Sequence, residues 1–331
     1  MKIFQLKYPK DNNLQFYQQK QEYYNRIFET KNMTVISIDV NFHAFGYPKA
    51  FLENTIETLQ KTFIENNTND CMYIFNELDA ANLKILFKNE TFEETIKDFV
   101  KKTKYVIFFC EIFENENLQT IGNKNQNEEF PKLFFENAFK IFLCDSKNIE
   151  FLKNINTNVV YFPPIGYSTI NNISKRKRNE YEYDLFFYGN INETFIPYRS
   201  QMLSKLKQES EIQKWKFIYG TYFGEEKKKI QDKTKIIVHI PSYEKLRTIP
   251  WAKIAELMAF DFFFILEKNE EMFHLGIQDL FCYYENSQDL IQKIKYYLLH
   301  EDERLEMSRK LHEYVKEHFN IDKLLYESIC E

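Results

Sequence analysis

The sequence predicts an α/β protein of two doubly wound domains of similar size, and three observations carry that prediction. Short β-branched and aromatic runs alternate with longer amphipathic stretches along the chain. Those runs are apolar almost continuously, rather than at every second residue, as strands buried on both faces of a helix-covered parallel sheet require. The alternation pauses at GYSTINNISKRKRNEYEYD, the polar stretch from Gly166 to Asp184, and then restarts. The expected boundaries are a first domain over 1–170, a linker over 171–183 and a second domain over 184–331, with 1–33 readable as an extension of the first.

The opening MKIFQLKY reads as a strand or as part of an extension outside the first domain, and LQFYQQKQEYYNRIFE as a helix or as part of the same extension. The strands expected next are TVISIDV (Thr34 to Val40), CMYIFN (Cys71 to Asn76), YVIFFC (Tyr105 to Cys110), KIFLC (Lys140 to Cys144) and NVVYF (Asn158 to Phe162). PKAFLENTIETLQKTF, ETIKDFVKK and SKNIEFLKN carry helical periodicity between them. In the second half come LFFYG (Leu185 to Gly189), KFIYG (Lys216 to Gly220), KIIVHI (Lys235 to Ile240), FFFILE (Phe262 to Glu267) and DLFCYY (Asp279 to Tyr284). DERLEMSRKLHEYVKEHF, Asp302 to Phe319, reads as a closing helix.

A length of 331 residues accommodates two domains at about 100–200 residues each. With 44% hydrophobic and 28% charged residues, the chain lies outside the composition of disordered proteins. A net charge of -5 lacks the basic footprint of a nucleic-acid binder, so no nucleic-acid partner is expected. No apolar run is long enough to span a membrane, and the N-terminal segment meets charge and proline where a secretory core would continue. A cytoplasmic location follows as the expectation, with peripheral membrane contact left open. The five cysteines are odd in number and never in C-x-x-C spacing, as small buried hydrophobes of a reducing compartment would be.

The absent motifs narrow the chemistry. No G-x-G-x-x-G follows a strand and no P-loop occurs, so the glycine loops that bring phosphate to backbone N–H groups are missing. No H-E-x-x-H, no His/Cys cluster and no strand-terminal D-x-D is present, so no metal ligand is assigned and phosphate chemistry is expected to proceed without a divalent metal. The informative stretch is KIIVHIPSYEKLRTIPWAKIAELMAFDFFFILE, Lys235 to Glu267. A buried strand ends in a Pro-Ser-Tyr loop, and Pro250 opens a helix where its missing N–H is harmless. Ligands of open α/β sheets bind outside the carboxyl ends of strands, so this loop and helix start are expected to face a crevice between the domains. Lys253 and Glu256, three residues apart on that helix, share a face and could also form a surface ion pair of a few tenths of a kcal/mol.

This run resembles the donor-binding segment of GT-B glycosyltransferases, in particular the group-one-like, spore-maturation-protein-like branch. YDLFFYGNINETFIPYRSQML (Tyr183 to Leu203) is similar to the strand, glycine and basic helix that open the family's second domain. KIFLCDSKNIEFLKNINTNVVYFPPIGYS (Lys140 to Ser168) is similar to the end of its acceptor domain, and Gln288 to Phe319 to its closing helices. The resemblance spans about residues 34 to 320 and rests on the order of the segments more than on any one motif. It implies two Rossmann-like domains facing a cleft, and transfer of a sugar from a nucleotide-sugar donor to a carbohydrate or glycoconjugate acceptor. No cofactor beyond the donor substrate is implied.

Within the resemblance, Glu256 matches the glutamate that hydrogen-bonds the donor ribose, while Lys253 and Arg247 would offset diphosphate charge. Gly189 and Asn190 would admit the donor to the strand end, Tyr219 and Gly220 would lie near its base, and Ser242 and Tyr243 would line its loop. Retaining members often carry a glutamate eight positions before the ribose glutamate; Thr248 stands there, which favours inverting transfer. A base on the first domain is then required, and the candidates are His43 in the loop NFHAFGYP and Glu77 and Glu111 at strand ends. A nucleotide-sugar epimerase or hydrolase of the same fold, or a catalytically silent sugar-nucleotide binder, would use the same donor residues. Glycosylation of DNA bases is disfavoured by the acidic net charge.

Overall fold

The computed structural model describes residues 2–7, 34–39, 71–76, 93–109, 129–162, 181–194, 196–222, 224–244 and 248–318. The chain divides into two compact units, Met1–Pro163 with Leu325–Glu331, and Pro164–Leu324.

The first unit holds a six-stranded sheet of β1 (Lys2–Lys7), β2 (Thr34–Asp39), β3 (Cys71–Asn76), β4 (Tyr105–Phe109), β5 (Lys140–Leu143) and β6 (Val159–Tyr161). Its order is β2-β1-β3-β4-β5-β6, with every neighbouring pair parallel. The opening segment, which its residue pattern left open, is thus an inner strand between β2 and β3. Helices α1 (Glu93–Lys102), α2 (Glu129–Glu136) and α3 (Ile149–Lys153) connect the later strands. The core is aromatic: Tyr105 and Phe134 stack at 5.1 Å, Phe108 and Phe142 at 4.6 Å, and Phe162 packs edge-on to Phe108. Two buried polar side chains here find partners at a helix end. The Tyr105 hydroxyl donates to the Phe134 carbonyl, and the Asn156 amide donates to the carbonyls of Phe135 and Ala138.

The second unit repeats the plan with β7 (Tyr183–Tyr188), β8 (Phe217–Gly220), β9 (Thr234–Val238), β10 (Phe264–Glu267) and β11 (Cys282–Tyr284). The order β11-β10-β9-β7-β8 is again all parallel. Its helices are α4 (Pro197–Gln213), α5 (Gly224–Asp232), α6 (Trp251–Ala259), α7 (Glu270–His274), α8 (Ser287–Leu299) and α9 (Glu301–His318). Leu185 and Phe187 of β7, Ile236 and Val238 of β9 and Ile265 of β10 are buried against Met202, Leu203 and Leu206 of α4 and Leu290 and Ile294 of α8. Cys144 and Cys282 are both buried free thiols. Among the described residues no helix is long and apolar enough to cross a membrane.

Two strand starts move inward by two or three residues from their expected positions. FFFILE enters the sheet only at Phe264, because Asp261 adopts a left-handed conformation (φ 57) and the Phe262 N–H turns back to the Leu257 carbonyl to close α6. DLFCYY begins at Cys282, after a short 3-10 turn over Gln278–Leu280. The helix expected over PKAFLENTIETLQKTF and most of the expected linker lie outside the described residues.

Candidate functional site

Sheet order points to a candidate site in the second unit. The chain leaves β7 for β8 on one side and returns to β9 on the other, so β7 and β9 flank the point where the winding reverses. Loops at the carboxyl ends of two such strands diverge and leave space between them. The residues there are Gly189 and Asn190 after β7, and His239 to Ser242 after β9. Helices α4 and α6 both start from these loops, each opened by a proline: Pro197 is the first residue of α4, and Pro250 precedes Trp251 of α6.

Gly189 has φ +148, and a Cβ placed on it would lie 3.1 Å from Lys253 Nζ and 3.4 Å from an Arg199 guanidinium nitrogen. Two basic side chains therefore converge on one backbone position, where a methyl group would have to push them aside. Arg199 is buried and pinned: Nε donates to the Ile240 carbonyl (2.9 Å), one terminal nitrogen to the Asn190 carbonyl (3.0 Å) and the other to Ser242 Oγ (2.8 Å). It ties the β7 loop to the β9 loop, and of the five N–H donors of a guanidinium two remain to meet a ligand. Lys253, in the first turn of α6, sits 5.0 Å from the ring centres of both Phe187 and Tyr188, and the Tyr188 hydroxyl donates to its carbonyl. Lys227 of α5 lies over the Tyr188 ring as well, at 5.3 Å.

The electrostatics follow from this crowding. Burial pushes the Arg199 guanidinium down to about 10, which leaves it charged at neutral pH. Burial first, and then the charges of Arg199 and Lys227, hold the Lys253 ammonium well below the usual lysine range. His239, 5% exposed, is held well below the ordinary histidine value by burial and by Lys253 and Arg199, so its imidazole is neutral at neutral pH. Two unit charges about 6 Å apart repel by about 3 kcal/mol at an effective dielectric of 20. Among the described residues, no carboxylate stands within ion-pair distance of Arg199 or Lys253.

The expected residues are placed as follows. Gly189, Ser242 and Lys253 come together around Arg199. Asn190 contributes its backbone carbonyl, while its side chain accepts from the Asn192 N–H and shapes the loop. Gly220 adjoins the site from β8, its carbonyl accepting from Gly189 N–H at 2.9 Å and its own φ +156 set against the Tyr222 ring. Tyr219 packs on the core beside Phe217, at a ring distance of 5.1 Å. Tyr243 is half exposed and near enough for its hydroxyl to act on the Arg199 charge. Glu256 is on α6 one turn after Lys253. Thr248 is buried, with its hydroxyl unpaired. Arg247, His43, Glu77 and Glu111 lie outside the described residues. Among the described residues, no group of three or more His, Cys, Asp and Glu is placed to hold a metal ion.

Arg199 and His239 are the residues sequence reasoning missed. A signal for Arg199 existed. Every other described α-helix carries an acid in its first turn, as the helix dipole favours, whereas α4 and α6 carry none and place Arg199 and Lys253 there. A cation against the dipole at two adjacent helix starts is a pattern readable from sequence once the helix starts are known. His239 gave no signal beyond a lone histidine at a strand end.

Residues 199–327 match the family described as glycosyl transferase-like, a span that starts at Arg199 and contains Lys253 and Glu256. No curated protein sequence matches the chain. Among solved structures, a DNA-modifying beta-glucosyltransferase studied with and without uridine diphosphoglucose aligns over 99% of both chains at 14% identity and a TM-score of 0.57. An alpha-glucosyltransferase in complex with UDP and a 13-mer DNA aligns over 99% of both at 12% identity and a TM-score of 0.58. The UDP-GlcNAc 2-epimerase of Methanocaldococcus jannaschii aligns over 89% of this chain and 92% of its own, at 9% identity and 0.54. A T4 phage beta-glucosyltransferase has also been solved with UDP and Mn2+. The chain thus has the GT-B fold of these nucleotide-sugar enzymes, with a glycosyl transferase-like segment over residues 199–327.

Proposed function

We propose that this protein is a glycosyltransferase that takes a sugar from a nucleoside diphosphate sugar and passes it to an acceptor hydroxyl. The observation that carries the reading is the pair of cations, Arg199 and Lys253, gathered against Gly189 without a carboxylate partner among the described residues. A nucleotide-sugar diphosphate carries two negative charges, and the leaving nucleoside diphosphate gains a third as the glycosidic bond breaks. Fixed cations stabilise that developing charge without needing to reorganise. In this reading the two cations replace a divalent metal, Glu256 holds the ribose, and Ser242, Tyr243 and Arg247 close the donor loop. Transfer is inverting, because Thr248 offers no carboxylate where retaining members often have one, with His43, Glu77 or Glu111 as the base. The likeness to the spore-maturation-protein-like branch belongs to the same reading.

The test is sugar release from radiolabelled UDP-glucose and a panel of other nucleotide sugars, with EDTA present and with glycan and lipid acceptors added singly. Acceptor-dependent transfer supports the reading. Conversion of the donor to an epimer without acceptor would replace it with an epimerase reading, as one of the similar structures is an epimerase. A second reading concerns the acceptor alone. The beta- and alpha-glucosyltransferase structures, which match end to end, are described with DNA modification and bound DNA. They weigh against setting nucleic acid aside on net charge, since a local basic face suffices for binding. Retention of duplex DNA at low salt, lost as salt rises, would favour that acceptor.

A further inference from the structure

A groove of about 450 Å³ lies beside β11, the outermost strand of the second unit's sheet, where α8 and α9 pass it. That volume falls within the range of about 300–1,000 Å³ for small-molecule sites. Strands β10 and β11 separate the groove from the point between β7 and β9 where the candidate donor site stands. Its polar lining is Tyr283, Glu285, Asn286, Asp289 and Lys293, with Met307 among the apolar residues.

The charges of this lining are already matched. Lys293 Nζ pairs with Asp289 at 2.8 Å, and Glu285 pairs with Lys268 at 2.6 Å. Two carboxylates against one lysine in the lining disfavour a phosphate, and a cation would find both carboxylates engaged. The strand edge is closed as well. The Tyr284 carbonyl points inward to the Lys268 N–H, and the Tyr283 carbonyl, on the opposite side of the strand, accepts from Lys293 Nζ. A peptide adding to β11 would therefore meet a capped carbonyl.

What remains open is a set of donors and acceptors beside an aromatic ring. Asn286 Oδ1 is taken by the N–H groups of Gln288 and Asp289, whereas its side-chain NH₂ has no partner among the described residues. Asp289 Oδ2 accepts from the Glu285 N–H and from Lys293, and Glu285 Oε1 accepts from Lys268; among the described residues the second oxygen of each carboxylate accepts nothing. The Tyr283 hydroxyl is likewise without a partner among the described residues, and its ring is half-buried. Phe273, 42% exposed, stands edge-on to that ring at 5.7 Å and extends the aromatic surface.

We propose that this groove binds a neutral saccharide. Neighbouring sugar hydroxyls each donate and accept, which suits an amide donor set beside carboxylate acceptors and a phenol. The C–H faces of a sugar ring pack on aromatic rings such as Tyr283 and Phe273. The inference goes beyond the donor reading and does not depend on it, because the two sites share no residue.

The experiment is titration calorimetry of the full chain with neutral tetrasaccharides of glucose, galactose, mannose and N-acetylglucosamine, with their sulfated forms as charged controls. Two variants accompany it. Tyr283→Phe keeps the ring and removes the hydroxyl, and Asn286→Ser keeps an oxygen to cap α8 while removing the amide donor. The expected result is binding of at least one neutral tetrasaccharide, with its sulfated form bound at least about tenfold more weakly. Each variant should weaken that binding by about two- to tenfold at an unchanged UDP affinity. No neutral saccharide bound at about 10 mM, binding undiminished in both variants, or preference for a sulfated form would each overturn the assignment. UDP titration of the same samples tests the donor reading separately, so failure of one is not failure of the other.

Discussion

Gly189 carries two constraints at once, a backbone angle of +148 that L side chains rarely adopt and two cations at the position of its missing Cβ. The Lys253 ammonium is the end of a flexible side chain, so a methyl group would displace it rather than block folding. Gly189→Ala is expected to lower stability by about 1–3 kcal/mol through strain and to weaken UDP binding at least several-fold by moving Nζ. Thermal unfolding and UDP titration of the variant check this, and wild-type affinity in the variant would show that the space beside Gly189 is not used. The glycine and Lys253 were legible in the sequence because each belongs to a local pattern, a strand ending in Gly and a proline-opened helix. Arg199 showed there only as a cation set against its helix dipole. Its bridging of two loops some fifty residues apart, with partners at Asn190, Ile240 and Ser242, is encoded by no local spacing.

At the scale of elements, the site depends on how α6 is held. Its start is fixed by a fully buried carboxylate from another element: Glu271 of α7 accepts from the Ile249 N–H at 2.6 Å, just before Pro250. Asn269 caps α7 by accepting from Met272 N–H, which steadies Glu271 in turn. Glu271→Ala leaves the Ile249 N–H buried and unpaired, at about 1–3 kcal/mol, while Glu271→Gln retains an acceptor and loses less. At about 2–4 °C per kcal/mol for a unit of this size, calorimetry should separate the two variants. UDP affinity should fall with the alanine change, because Lys253 rides on α6. Equal melting temperatures for the two would contradict the anchoring role. Strand interiors were legible because continuous apolar runs leave little choice, and CMYIFN coincides with β3. Strand starts were harder to read: the left-handed Asp261 and the 3-10 turn at Gln278 each absorb residues that look like strand. The opening strand was ambiguous for another reason, since a short run becomes an inner strand only through pairing with β2 and β3.

At the scale of the whole molecule, two units with separate sheets and cores are expected to unfold separately, so one melting temperature is not a sufficient description. Scanning calorimetry should resolve two transitions. UDP at about a hundredfold excess over Kd adds about 2.7 kcal/mol to the unit that binds it, a shift of about 5–10 °C in that transition and less in the other. A shared shift of equal size would place the nucleotide on both units. Net charge was a poor guide at this scale: a total of -5 coexists with a local gathering of basic side chains, Arg199, Lys227 and Lys253, in the second unit. Sums over a chain say nothing about where the charges gather.

The central claim is that Arg199 and Lys253 hold the donor diphosphate beside Gly189, and a crystal structure of the protein with UDP tests it most directly. The account predicts phosphate oxygens at about 3 Å from the Arg199 guanidinium and from Lys253 Nζ, between the loops that follow β7 and β9. UDP bound elsewhere, with that space holding only water, would contradict it.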